Sequence, residues 1–273
     1  MSDREAQLIE LVALAHSIKK RAARASISNA RMLHASTIFA KGIQHGGSMC
    51  ALFAHYRVGG ELDGAGICAL ARALIESHNV LLYLTEPGIS KDEQELRLHL
   101  MYFNQTMDQM RIGDALGITT AERRDPFQTI SRDYSLGELK RNQVFLKLDA
   151  KQQDHLLRGR SPFLMSRYDG PRPVSKNVES AVYNLFSHNV HTFGLAATPG
   201  GSATPAGFAN MVILAVEVSA IFLAHMVRHY QRIRARAVGR LAKSEKAQIE
   251  NVLSLSRLDT WVSDMRREGA YEC

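Results

Sequence analysis

Between residues 183 and 194 the sequence YNLFSHNVHTFG sets Tyr183, Ser187 and His191 at successive four-residue steps, which lines side chains along one helix face. His188 stands one position off that line, and Leu185, Phe186, Val190 and Phe193 are the apolar residues among which these polar groups lie. Arg72 and Glu76 are also four apart, inside the apolar run 67–84. An intrahelical ion pair forms easily at that spacing, and an unpaired charge on such a helix would be expensive. If the two helices pack, a histidine, a serine, a tyrosine, an arginine and a carboxylate converge. These groups can move a proton and offset developing negative charge, as general acid–base chemistry requires. Sealed in a core, the same residues make a hydrogen-bond network whose use is structural. An open site and a closed network are therefore the two readings to separate.

Other chemistries find less support. His225 with His229 and His188 with His191 have spacings that could clip a metal, but neither pair has a carboxylate or thiolate at a matching helical offset, and structural zinc sites usually need four ligands. No metal or cofactor is expected. GAGICA (64–69) fits the dinucleotide fingerprint on paper, yet the preceding YRVGGELD is too polar and glycine-broken to be the strand that motif needs. The sequence holds no P-loop, no Gly-x-Ser-x-Gly elbow and no His-Glu-x-x-His helix. The Glu-x-x-His pairs of di-iron bundles are missing as well.

The elements that must position these residues are helices. SKDEQELRLHLMYFNQTMDQM has capping-box spacing at Ser90 and Glu93, and Leu96, Leu100, Phe103, Met107 and Met110 recur every three or four residues. The run 67–84 is apolar nearly all round and should sit in the interior, as should 211–227. The latter is slightly short for a membrane span and carries Glu217 and His225, which must find partners inside the protein. Breaks are expected at HGG (45–47), VGGELDGAG (58–66), EPG (86–88), GRSPF (159–163), DGPRP (169–173) and TPGGSATPAG (198–207). None has the length or bias of a flexible linker. The expectation is an all-α fold: a single domain over 1–273, a bundle of about seven or eight helices, with a basic helical extension from about 228.

A chain of 273 residues with 45% hydrophobic content can build a genuine core. Three cysteines, Cys50, Cys68 and Cys273, match no disulfide or zinc framework. The N-terminus reads as an amphipathic helix rather than a signal peptide, so a cytoplasmic location is expected. Charge is concentrated: RHYQRIRARAVGRLAKSEK (228–246) has seven Lys or Arg and one Glu, an excess of six in a chain of formal charge +7. Arg228, Arg232, Arg236 and Arg240 are spaced to run along one helical side, where they repel until an anion relieves them. RNA or another nucleic acid is the partner this pattern suits. A solvated helix face is the plainer meaning, and too few bulky apolar anchors are present for a membrane surface. A homodimer is left open.

The runs ALARALIESHNVLLYL, RNQVFLKLDAKQQDHLLRGRSPFL and AVYNLFSHNVHT resemble, over residues 39–229, a bacterial all-helical family known mainly as a domain of unknown function. The resemblance rests on an Arg-x-x-x-Glu helix, matched by Arg72 and Glu76, and a Tyr-x-x-x-Ser-x-x-x-His helix, matched by Tyr183, Ser187 and His191. It implies a helical fold and no particular activity. RALIESH is more loosely similar to HEPN ribonucleases, helical bundles of toxin and phage-defence systems that cleave RNA without metal. That likeness implies His78 as acid or base and Arg72 for the phosphate charge. Ala73 departs from the polar residue usual after that arginine, and six positions place Arg72 and His78 about 120° apart on a helix.

Overall fold

The computed structural model describes residues 2–27, 29–118, 126–164, 170–190 and 205–254. The described residues form eleven helices and no strand: α1 (Ser2–Ala22), α2 (Ala30–Arg57), α3 (Gly64–Thr85), α4 (Lys91–Ala115), α5 (Pro126–Arg141), α6 (Gln143–Leu146), α7 (Ala150–Leu157), α8 (Lys176–Val190), α9 (Pro205–Ile233), α10 (Ala235–Val238) and α11 (Lys243–Ser254). The all-α expectation holds, and the count exceeds seven or eight because of the short pieces. The helices α6 and α10 have four residues each and α7 has eight. Hydrophobic periodicity needs a longer window than that to register. Local caps make two of these short helices, α6 and α7. The Asn142 side chain accepts from the Val144 and Phe145 amides, and Asp149 and Gln152 form a reciprocal capping box.

The chain forms two compact units, Met1–Leu82 with Pro171–Cys273, and Tyr83–Gly170. In the first, α9 is the central helix, packed by α1, α2, α10 and α11. Its residues from Val212 to Val227 are almost all buried, against Leu8, Leu11 and Ile18 of α1 and Phe39, Ile43 and Met49 of α2 in the same core. Phe39 stacks on Tyr230 with ring centroids 4.0 Å apart, and the Tyr230 hydroxyl lies 2.9 Å from Ser36 Oγ. Glu217 finds its partner in Arg4, at 3.5 Å.

The expected break at HGG is corrected, because α2 runs unbroken through His45, Gly46 and Gly47. Here glycine serves close packing. A Cβ on Gly46 would lie 2.9 Å from Val12 Cγ2, and one on Gly42 would lie 2.7 Å from Met226 Cε. Missing side chains let α2 approach α1 and α9, a benefit that offsets the roughly 0.5–1 kcal/mol a helical glycine costs.

In the second unit, α4 packs on α5 and α6. The stripe read from the sequence supplies its core: Leu96, Leu100 and Phe103 with Leu139, Phe145 and Leu156, and Met107 packed against them. The Ser90 side chain accepts from the Glu93 amide at 3.1 Å, giving half of the expected capping box. The Glu93 carboxylate turns to Arg97 instead, a buried cation that also binds Glu86 at 2.7 Å and the Tyr83 carbonyl at 2.6 Å.

By length and composition alone, α3 and Gly207–Ile233 of α9 could each cross a membrane. In the fold 56% and 67% of their apolar windows are buried, the proportion a core helix shows.

Candidate functional site

Two polar stripes meet where α3 and α8 pair. Arg72, Glu76 and Asn79 follow one another at helical spacing on α3, and Glu179, Tyr183 and Ser187 do so on α8. The pairing is antiparallel: Tyr183 reaches Arg72 and Glu76, while Glu179 reaches Asn79. The Tyr183 hydroxyl donates to Glu76 Oε1 at 2.6 Å, and Arg72 Nε donates to that carboxylate at 3.1 Å and to the Tyr183 oxygen at 3.0 Å. The guanidinium also lies over the tyrosine ring, 4.9 Å from its centroid. This triangle faces solvent in part, with side-chain exposures of 32% for Arg72 and 50% for Glu76. Burial and the neighbouring Glu76 carboxylate raise the Tyr183 phenol above its ordinary pKa, so it stays protonated and donates.

Ser187 lies one turn further along α8, but its hydroxyl donates to the Tyr183 carbonyl at 2.8 Å, a bond within the helix. His188 is exposed on the same helix, and His191 lies outside the described residues. Of the expected convergence, then, the structure brings together Arg72, Glu76 and Tyr183. His45 of α2 was not singled out from the sequence. It is half-buried, and its pKa is lowered by burial and by Lys41, while the Glu76 charge works against them. Inside the supposed HGG loop it gave no helical signal to find.

His78 as an acid or base beside Arg72 is corrected. It is 0% exposed and faces the other way, with Nδ1 2.9 Å from Asn79 Oδ1 and Nε2 2.7 Å from His225 Nδ1. The 120° between positions 72 and 78 is what separates them. Burial, then the neighbouring His225, push the His78 pKa well down, so the ring is neutral near pH 7. A buried row continues from it. Asn79 Nδ2 donates to Glu179 Oε1 at 2.7 Å, and Arg172 pairs with Glu179 Oε2 at 2.8 Å. Asn79, Glu179 and Arg172 escaped the sequence reading. Glu179 sits four residues before Tyr183, so the stripe could have been followed one turn back.

His225 and His229 do not act as a pair. His225 turns to His78, while His229 Nδ1 accepts from Arg232 at 2.9 Å. Burial lowers both to about 4, helped by Arg228 and Arg232 at His225 and by Arg232 and His225 at His229. Among the described residues, no three His, Cys, Asp or Glu side chains gather as a metal site would require.

Arg228, Arg232, Arg236 and Arg240 are all exposed, yet they do not share one continuous helix face, which corrects the sequence reading. After α9 ends at Ile233, Arg234 is non-helical and α10 is a single turn closed at Gly239, whose φ is +76°. Arg234 explains the break. Its side chain is buried and donates to the Ala22 and Ala25 carbonyls at the C-terminal end of α1, at 2.9 and 3.2 Å. Beside that turn, Arg232 and Arg236 line a hollow of about 520 Å³ with Ala25, Ser26 and Met32. Arg228 approaches Glu250 of α11 at 3.8 Å, a loose and exposed pair.

No protein-family model, curated protein or solved structure matches this chain. The likeness to the helical family and the looser one to HEPN ribonucleases rest on the quoted residues alone.

Proposed function

We propose that this is an RNA-directed helical protein that holds phosphates on Arg228, Arg232, Arg236 and Arg240. One observation carries the reading: all four side chains are exposed, and two of them line one hollow. Guanidinium groups suit phosphate, offering planar, bidentate donors that stay charged at any physiological pH. The proposed location is the cytoplasm, where RNA and reduced thiols are both found.

Metal-independent cleavage of that RNA, of the toxin or phage-defence kind, is the catalytic form of the proposal. With His78 sealed away, Glu76 is the proton acceptor to test and Arg72 the group to offset phosphate charge, with Tyr183 holding both and His191 the histidine to test. Incubating RNA with purified protein in chelator, beside Glu76→Gln and His191→Ala, tests it. Cleavage lost in either variant supports the enzyme, and binding without cleavage rejects it.

A second reading, a non-catalytic binding or regulatory module, is favoured by the row from Arg172 to His225. Arg172 pairs with Glu179, both nitrogens of His78 meet protein partners, and so do both ends of the Asn79 amide, as in a structural network.

A further inference from the structure

The buried row ending at His225 has a fixed direction, and that direction determines what His225 can offer a ligand. A carboxylate can only accept, so Glu179 Oε1 takes its bond from the Asn79 amide nitrogen, and Asn79 Oδ1 is left to accept from His78 Nδ1. His78 therefore carries its proton on Nδ1. With 0% exposure the ring is neutral, which makes Nε2 a bare acceptor. The bond at 2.7 Å must then be donated by His225 Nδ1. Applying the same rule once more leaves His225 Nε2 with a lone pair and no proton. Arg172, paired with Glu179, anchors the far end of the row.

His225 keeps 8% exposure, and among the described residues no group donates to its Nε2. Arg228 and Arg232 follow it by three and seven residues, on the same side of α9, and both are exposed. After burial, their charges are the strongest influences on the ring. A fixed acceptor next to two cations suits a ligand that brings anionic oxygens and a hydrogen-bond donor within one residue's reach. A DNA backbone has the oxygens and no donor. RNA has both, because each ribose places a 2′-hydroxyl beside its phosphate.

We propose that His225 Nε2 accepts the 2′-hydroxyl of a nucleotide whose phosphate lies on Arg228 and Arg232, which makes this face selective for RNA over DNA. The inference rests on the arginine reading above and supplies its selectivity. The loose Arg228–Glu250 pair opens when the phosphate arrives.

The test is equilibrium binding of the unmodified protein, at low salt, to one sequence made as RNA, as 2′-fluoro RNA and as DNA. The fluoro form keeps the sugar pucker of RNA and loses the donor. RNA should bind about tenfold tighter than either, the ratio for one lost hydrogen bond. His225→Phe should bring RNA down to the level of 2′-fluoro RNA and leave binding of the latter unchanged. Equal affinity for RNA and 2′-fluoro RNA overturns the His225 assignment and leaves the arginine face standing, whereas no binding to any of the three overturns both. If His225→Phe does not fold, the comparison of oligonucleotides on the unmodified protein still decides.

Discussion

His78 is where residue-level chemistry bears most on stability. Unfolded, it and His225 and His229 take up protons near the ordinary 6.5, whereas folded they resist until about 4 or below. Between those values the unfolded chain binds more protons, so stability is fully present above about pH 6.5 and falls as pH drops toward 4. Each histidine contributes up to about 1.4 kcal/mol per pH unit in that window. Urea midpoints from pH 7.5 to 5 should decline accordingly, and a midpoint that rises on acidification would reject the neutral-histidine row. Tyr183→Phe is the milder case. It removes the hydroxyl between Arg72 and Glu76, two partly exposed groups, and should cost about 1 kcal/mol with an unchanged m-value.

At the scale of elements, the neighbours Gly46 and Gly47 separate packing from propensity. Gly47→Ala meets nothing within 4 Å and should stabilise by about 0.5–1 kcal/mol through helix propensity. Gly46→Ala drives a methyl against the stiff Val12 side chain, and the overpacking of about 1–3 kcal/mol should outweigh that gain. Thermal melts of both variants check the signs, and stabilisation by both would mean α1 and α2 have room to part. Arg234→Ala should lower stability by about 1–3 kcal/mol, since it strips two carbonyls at the end of α1 of a charged donor. Arg236→Ala on the exposed turn should change stability by less than about 0.5 kcal/mol. Calorimetry distinguishes the two arginines, which the sequence presents as equals in one basic run.

Over the whole molecule, what periodicity encodes was legible and what depends on partners distant in sequence was not. The stripe of α4, the buried run of α9 and the four-residue polar steps on α3 and α8 could be read directly, because each is a repeat along one helix. Arg97, Asn79 and Arg234 could not, because what each side chain binds is a carboxylate or a carbonyl on another element or on a loop. Glycines within α2 read as breakers for the same reason, since only a neighbouring helix shows that their missing side chains are used. Salt dependence of RNA binding tests the arginine face most directly. Four phosphate contacts to a single strand predict a slope of log K against log salt of about −3, and Arg232→Glu with Arg236→Glu should flatten it by about 1.4 while circular dichroism stays unchanged. Absence of RNA binding at low salt, or a slope that the double substitution leaves untouched, would contradict the proposal that this face holds nucleic acid.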